Sequence, residues 1–314
     1  MCVIDKEQRA LISGGPFRSN AWPSAAAWLV SFVAICVADA RSPPTSFGLV
    51  SIADGEAYTL IRGAKLYTGT KGVTLVSGDI IETGPQAFVV VEAQGGSLLG
   101  IGPSTRLYLM PRTDSTSIVV LTGWVKADIR AAKGAPMRLL GTRIGIQSRQ
   151  AVLLLHAEQH TDQVFDENGP ATLLVREGAA TRVSREAQTS QFFVREERTD
   201  VLSQPRPSED FVAAMPIPFR DPLPDKASSR LKKPAFPVLV REVSYGDVQE
   251  WLTMPRDWRA GFIPRFRMRI NDPIFFAAMD VHMADHPEWQ PILHPPPPPE
   301  ELPPPATRAS SPPH

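Results

Sequence analysis

The sequence predicts a mainly β protein: a stacked short-strand β-sandwich or β-solenoid-like domain, followed by a small C-terminal helical segment. The first reason is the stretch from Leu75 to Ile129, where short β-branched, aliphatic and aromatic runs alternate with turns such as Gly78-Asp79 and Gly123-Trp124. Glycine turns every 6 to 12 residues or so are typical of short strands. The second reason is that helix-start signals appear in residues 241–293, after the strand pattern.

Residues 1–40 resemble a signal peptide. An apolar run from Ala25 to Ala38 follows a polar leader, and Ala38-Asp39-Ala40 matches the small-x-small pattern that precedes a cleavage site. A helix of about 14 residues would span about 21 Å, which is short of the roughly 30 Å hydrocarbon core. We therefore expect export with cleavage before Arg41, and an uncleaved N-terminal membrane anchor is the alternative.

The composition of the chain argues against several classes of function. The chain has 33 basic and 33 acidic residues, and a net charge of zero argues against a general nucleic-acid partner. Both cysteines, Cys2 and Cys36, precede the expected cleavage site. The mature chain would therefore have no disulfide, no thiolate metal site and no cysteine nucleophile.

The predicted β domain covers residues 47–200. Strand-like runs separated by glycine turns continue after Ile129, and several alternate between apolar and polar residues, as expected for a sheet with one solvated face. The run from Ala151 to Leu155 lacks this alternation. It is expected to be a strand that is buried on both faces.

Residues 201–240 are predicted to be a proline-rich connector. Most of the chain's 32 prolines lie after Ser203, and proline removes the N–H that a central strand or a long helix needs. We expect an extended segment that lies along the β domain and is anchored by Phe211, Val212 and Phe219.

Residues 241–293 are predicted to form a helical appendage. Asp247 is the expected N-cap of a helix through Leu252. Asn271 or Asp272 is expected to cap a second helix that starts near Pro273 and ends before Pro287. Residues 294–314 are predicted to be a polyproline II or disordered tail.

Three motifs resemble FecR-type domains. They are residues 72–84, which contain Gly78-Asp79, residues 95–105, which end in Gly102-Pro103-Ser104-Thr105, and residues 121–129 around Gly123-Trp124. They stand in the family's order, and the resemblance covers roughly residues 48–185.

The resemblance implies a bacterial envelope protein. The family's regulators have a cytoplasmic sigma-factor-binding domain of many tens of residues before the membrane helix, whereas a leader of only about 20 residues precedes the apolar run here. We therefore expect a stand-alone exported FecR-like domain rather than a complete sigma-factor regulator.

Histidine pairs give no convincing metal site. His282 and His286 have the i, i+4 spacing of zinc-binding helices, but His286 precedes Pro287, so a surface-exposed helix end is expected. His156 and His160 fall at the end of a strand and are expected at the surface. Asp79 is interpreted as a turn residue. No catalytic, cofactor-binding or metal-binding residue is assigned, and no cofactor is expected.

One segment is a candidate recognition surface. Its residues combine aromatic rings with guanidinium groups, which favour recognition: Trp251, Arg256, Trp258, Arg259, Phe262 and Arg265. The competing interpretation is that the aromatic residues dock on the β domain while the arginines are solvated or paired with acids.

These observations predict a non-enzymatic binding or scaffolding module of the bacterial envelope, periplasmic or secreted, with an envelope protein or glycan as partner. Two alternatives stay open: an accessory carbohydrate-active protein that acts on cell wall or exopolysaccharide, and a signalling regulator anchored in the inner membrane. Membrane contact is expected only if residues 1–40 are not cleaved, and no nucleic-acid partner is expected.

Overall fold

The computed structural model describes residues 45–297 except 56, 113, 131–134, 179, 198 and 232. The predicted signal peptide and residues 298–314 of the predicted tail lie outside the described residues.

The predicted mainly β fold class is confirmed. The strands are β1 (Ser46–Asp54), β2 (Tyr58–Arg62), β3 (Lys65–Gly69), β4 (Thr74–Val76), β5 (Ile80–Glu82), β6 (Phe88–Ala93), β7 (Leu98–Ile101), β8 (Arg106–Met110), β9 (Thr116–Ile129), β10 (Met137–Leu140), β11 (Ile144–Ser148), β12 (Ala151–Ala157), β13 (Thr161–Asn168), β14 (Ala171–Glu177), β15 (Ala180–Ala187), β16 (Phe192–Glu196), β17 (Leu202–Gln204) and β18 (Val238–Glu242).

The strands form two layers that share β9. Sheet A has the order β4-β1-β6-β7-β9-β12-β13-β16-β17. Sheet B has the order β18-β3-β2-β5-β8-β9-β10-β11-β14-β15. Of these strand pairs, only β9–β10 is parallel. Because β9 belongs to both layers, the sheet is continuous and curls over itself.

Strand β9 changes sheets at Gly123. Thr122 still pairs with β8 in sheet B, whereas Gly123 pairs with Ala157 of β12 in sheet A. Gly123 has φ +92°, and a Cβ there would lie 2.4 Å from Thr105 Oγ1. The same Oγ1 accepts a hydrogen bond from the Trp124 N–H at 2.9 Å. Glycine is therefore required both by the backbone conformation and by the close approach of Thr105.

The main core lies between the two sheets. It consists of the inward-facing aliphatic and aromatic side chains of both layers, including Leu60, Val91, Val120, Val125, Leu153 and Phe193. The run Ala151–Leu155 was expected to be buried on both faces, and Leu153, Leu154 and Leu155 are all buried. Leu154 points away from the main core into a second cluster on the outer face of sheet A.

That outer face is covered by residues 205–224, here called the strap. It contains α1 (Glu209–Ala214), capped by Ser208, and a 3₁₀ turn at Ile217–Phe219. Its four apolar anchors pack on Leu98, Trp124, Leu154 and Phe192 of sheet A; they are Phe211, Met215, Phe219 and Leu223. The predicted anchors Phe211 and Phe219 are confirmed. The prediction for Val212 was wrong: it is exposed on α1, next to the inward-facing Phe211.

A buried lysine bonds the strap to sheet A. Lys126 on β9 is 1% exposed, and its Nζ donates to the carbonyl oxygens of Phe219 at 2.9 Å and Asp221 at 3.1 Å. Glu167 supplies a carboxylate 2.8 Å away. The ammonium group thus exchanges its hydration for three oxygen partners, which offsets the cost of burying its charge.

The outer face of sheet B is covered by short helices. They are α2 (Tyr245–Leu252), α3 (Arg256–Arg259), α4 (Phe262–Phe266), α5 (Pro273–Val281) and α6 (Gln290–Leu293). The remaining 3₁₀ turns are Gln94–Gly96, Ala227–Arg230, Arg267–Asn271, Met283–Asp285 and Pro287–Trp289.

The helix boundaries were partly predictable. The expected cap of α5 is confirmed, since the Asp272 side chain accepts from the N–H groups of Ile274 and Phe275. Asp247 was wrongly taken as the N-cap of α2. The N-cap is Ser244, and Asp247 lies three residues later in a capping box, where its carboxylate accepts from the Ser244 N–H at 2.6 Å. Helix α5 ends at Val281, well before Pro287.

Within the described residues, the structure has no helix of sufficient length and apolar character to span a membrane.

Replacing Gly123 with Ala should destabilise the fold by about 2–5 kcal/mol, because a Cβ adds backbone strain and a clash with Thr105. Gly63 is the matched control: its φ is +59°, but a Cβ there would meet nothing within 4 Å. Gly63→Ala should cost only about 1–2 kcal/mol. Urea denaturation measures both, and equal losses would contradict a special role for Gly123.

Lys126→Met should lower the free energy of unfolding by about 2–4 kcal/mol, because it removes the bonds between sheet A and the strap. It should also speed proteolysis within residues 205–224. Lys71→Met, at an exposed lysine, is the control and should leave both readouts unchanged. If the strap stays protected in Lys126→Met, its apolar anchors alone hold it.

Candidate functional site

The aromatic residues of the predicted recognition surface are buried. Trp251, Trp258 and Phe262 are each at most 4% exposed and belong to the cluster between sheet B and the helices. The ring of Tyr108 on β8 lies 6.1 Å from that of Trp251 and 5.2 Å from that of Phe262. The docking interpretation is confirmed for these residues. These three side chains therefore do not form the exposed recognition surface that the sequence predicted, because their apolar area is already covered.

Two of the three arginines are bonded within the protein. Arg265 donates to the carbonyl oxygens of Ile61, Gly63 and Gly78 at 2.6–2.8 Å, and burial lowers its pKa to about 10. Arg259 donates to the Leu252 carbonyl and pairs with Glu288. Arg256 is exposed. Arg259 and Arg265 therefore stabilise the helical layer rather than a contact with a partner.

Arg176 on β14 also bonds to the helical layer, and sequence reasoning missed this contact. Its guanidinium donates to both carboxylate oxygens of Asp257 and lies 4.2 Å from the ring centroid of Trp258. The side chain is buried, so both the ion pair and the cation–π contact act with reduced screening. No local pattern links β14 to α3, because the two are distant in sequence.

Asp79 has the turn role that the sequence indicated. Its carboxylate is fully buried, accepts from the Val76 N–H at 2.8 Å and pairs with Arg62. A cleft of about 250 Å³ opens beside it, bordered by Arg62, Tyr108 and Arg265. Because Arg62 already bonds to Asp79 and Arg265 bonds to backbone carbonyls, the cleft is explained as the seam between sheet B and α4.

The histidines do not form a metal centre among the described residues, which contain no cluster of three or more potential ligands. His160 is exposed as expected, whereas His156 is half-buried and stacks on Trp124 at 3.9 Å. His286 was expected at an exposed helix end, and this was wrong. It is 0% exposed, and its Nε2 lies 3.3 Å from the Tyr245 hydroxyl.

The exposed apolar surface of interest is instead the edge of sheet B at β18. All five residues of β18 are exposed, and β3 is its only partner strand among the described residues. Four apolar side chains form what is here called the edge strip: Phe236 (86% exposed), Val238 (64%), Leu239 (53%) and Val240 (55%).

The edge strip is held rigidly at both ends. Before it, the Ala235 N–H donates to the Gly72 carbonyl at 2.9 Å. After it, the Val243 N–H donates to the Ala64 carbonyl, and Arg269 donates to the Val243 carbonyl, both at 3.0 Å. The backbone is thus preorganised as a strand before any partner arrives, which lowers the entropic cost of binding.

An edge of this kind can accept another strand. Unpaired N–H and C=O groups provide the hydrogen bonds of strand addition, and alternate side chains provide selectivity. In the sequence, the signal was the run Phe236-Pro237-Val238-Leu239-Val240 within a proline-rich and charged connector. Sequence reasoning missed it because the surrounding prolines argued against a strand.

The burial of His286 predicts a pH dependence. Burial lowers the His286 pKa below its usual value, so the unfolded chain binds the proton more tightly. Stability should therefore be intact above about pH 6.5 and fall at lower pH. Tyr245, Asp285, Glu288 and Arg259 are the ionisable groups around it.

His286→Phe removes the imidazole that binds this proton, so it should reduce the loss of stability between pH 7 and pH 5. The measurement is urea denaturation of both proteins across that range. Parallel pH profiles for the two proteins would contradict the prediction.

No family model matches the sequence, and no curated protein matches it. The structure is similar to two crystal structures of a protein from Parabacteroides distasonis described as a putative anti-sigma factor, with 12% identity and a TM-score of 0.36 in both cases. The similarity covers 43% of this chain and 63% or 62% of those chains, so the chain spans less than two thirds of their length.

Proposed function

We propose that the chain is an exported FecR-like domain protein that acts as a non-enzymatic binding or scaffolding module in the bacterial envelope, with the edge strip as its contact surface. The observation that carries the proposal is the exposure of Phe236, Val238, Leu239 and Val240 on a strand with a free edge. Contiguous exposed apolar surface next to polar residues is typical of protein interaction sites.

The covering of the two sheets supports this choice. The strap covers the outer face of sheet A, and the helices cover the outer face of sheet B. Much of both outer faces is therefore occupied within the described residues. The edge of sheet B remains as a place where backbone groups and apolar side chains are accessible together.

The roles of Asp79, Lys126 and Arg265 are structural. Asp79 is engaged by Arg62, Lys126 by the strap, and Arg265 by three backbone carbonyls. Each of these groups has its bonding capacity taken up by the fold. The envelope location is proposed from the signal-peptide pattern of residues 1–40 together with the FecR-like motifs of residues 72–129.

Val240→Lys should reduce capture of envelope proteins at least about tenfold in a crosslinked pull-down, because a charge desolvated at the edge costs more than about 1.4 kcal/mol. Val281→Lys places the same charge at another exposed apolar residue (80% exposed) and is the control. It should leave capture unchanged.

Equal capture by both variants would contradict the edge strip as the contact surface. Release of reducing ends from cell-wall or exopolysaccharide fractions by the purified chain would contradict the non-enzymatic role.

A further inference from the structure

We propose that a cleft on the outer face of sheet B, here called the polar cleft, binds a neutral, hydroxyl-rich glycan and holds it without cleaving it. The cleft has a volume of about 410 Å³, and side chains from four neighbouring strands form its floor: Arg138, Gln147, Thr172 and Glu186. The inference goes beyond the proposed function, because it adds a second contact surface, separate from the edge strip, and names the chemistry of its ligand.

The register of sheet B creates a continuous polar row across the floor of the cleft. Arg138 on β10 pairs with Gln147 on β11. Gln147 also pairs with Thr172 on β14, which pairs in turn with Glu186 on β15. Their neighbours along each strand belong to the main core, so the four row residues face outward. Because neighbouring strands lie about 4.8 Å apart, the row spans about 14 Å, which suits an extended ligand.

The helical layer leaves this row accessible. Leu140 and Leu174 lie two residues further along β10 and β14 on the same face, and both are buried in the cluster under the helices. The described residues that line the polar cleft come from β10, β11, β14, β15 and the turns beside them, and none comes from a helix. Glu186 is exposed, and the other three row residues are half-buried. A ligand in the cleft can therefore reach their polar groups.

The walls of the polar cleft are fixed before any ligand arrives. The end of β11 is bonded to the turn between β13 and β14, since the Ser148 hydroxyl donates to the Pro170 carbonyl at 2.6 Å. The same hydroxyl accepts from the Gln150 N–H at 2.9 Å. On the floor, the Arg138 Nε donates to the Gln147 Oε1 at 2.9 Å, which leaves the Gln147 amide nitrogen to donate to a ligand. A preformed site of this kind reduces the entropy lost on binding.

The row offers donors and acceptors that the fold does not use. Among the described residues, the Gln147 amide nitrogen, the Thr172 hydroxyl and the Glu186 carboxylate have no hydrogen-bond partner. A sugar hydroxyl both donates and accepts, so a chain of sugar units can accept from Gln147 and donate to Glu186 at the same time. The bond to the carboxylate is charge-assisted and is therefore the stronger of the two.

Other classes of ligand fit the polar cleft less well. Peptides commonly bind to a free sheet edge, an apolar or aromatic-lined groove, or a cluster of arginines, whereas the described lining has no aromatic and no large aliphatic side chain. Arg138 already lies 3.4 Å from a carboxylate oxygen of Asp114, and Glu186 adds a further negative charge. The row therefore has no excess of positive charge to attract phosphate or another anion.

The polar cleft should hold a glycan rather than hydrolyse it. Glycosidases use two carboxyl groups about 5–9.5 Å apart. Among the described residues that line the cleft, Glu186 is the single carboxylate. Because hydrogen bonds that replace bonds to water each add little, we expect weak binding, with a dissociation constant on the order of 1 mM.

The test is an NMR titration of the full chain with three neutral tetrasaccharides, built from glucose, mannose or N-acetylglucosamine. At least one should bind. Thr172→Val removes the hydroxyl but keeps the branched shape, and Glu186→Gln removes the charge but keeps the size. Each should raise the dissociation constant about three- to tenfold.

Thr59→Val is the matched control. Thr59 is also a half-buried threonine on the outer face of sheet B, but it does not line the polar cleft. This variant should bind the tetrasaccharide like the parent protein, and urea denaturation of all variants checks that the fold is kept.

Three results would overturn the inference. The first is no binding of any of the three tetrasaccharides at concentrations well above the expected dissociation constant. The second is equal affinity in the parent protein, Thr172→Val and Glu186→Gln. The third is tighter binding of tetra-alanine or of tetragalacturonate than of every neutral tetrasaccharide, because the ligand would then be a peptide or an anion.

The inference and the proposed function fail separately. Val240→Lys should leave tetrasaccharide binding unchanged, and Thr172→Val should leave capture of envelope proteins unchanged. Loss of capture in Val240→Lys without any tetrasaccharide binding overturns the inference alone. Tetrasaccharide binding that weakens in Thr172→Val, with equal capture by Val240→Lys and Val281→Lys, contradicts the edge strip alone.

Discussion

The fold depends on the transfer of strand β9 from sheet B to sheet A at Gly123. One strand serves as the common member of both layers, so the curl of the sheet and the closure of the core follow from a single residue with φ +92°. Thr105 makes the transfer possible: its hydroxyl bonds to both the N–H and the carbonyl of Trp124, while its own N–H donates to Thr83. These residues belong to the glycine-turn motifs of residues 72–129, and their role here is structural. They place two layers face to face, and everything outside the core packs on the surfaces that this creates.

Two cationic groups then fasten the outer layers. Lys126 bonds to the strap through carbonyl oxygens, and Arg265 bonds the helical layer in the same way to strand β2 and two turns of sheet B. Turn and strap carbonyls are oriented acceptors that helices and strands leave unused, and a buried cation satisfies several of them at once. Such bonds require little regular structure in the backbone, but they fix the position of a whole segment. This explains how short helices and a proline-rich connector become part of the packed structure.

The sequence predicted what is local and missed what is distant. The strands were predictable because glycine turns and apolar runs are signals within a few residues, and the Asp272 cap of α5 was predictable for the same reason. The error at α2 was also local, since Ser244 and Asp247 have the spacing of a capping box that was overlooked. By contrast, the burial of His286 and Trp258 depends on contacts with Tyr245 and Arg176, which lie far away in the chain. No pattern around β18 showed that β3 is its neighbour, so its place at a sheet edge could not be predicted.

The edge strip differs from a strand that would aggregate without control. Edge strands are usually protected by proline, by bulges or by charge, and β18 has all three in modified form. Pro237 precedes the strand, a bulge lies between Leu239 and Arg241, and Arg241 is paired with Asp247. A bulge increases local twist, so a flat strand would fit this edge poorly. These features discourage general strand pairing, and they explain how an apolar edge can stay exposed.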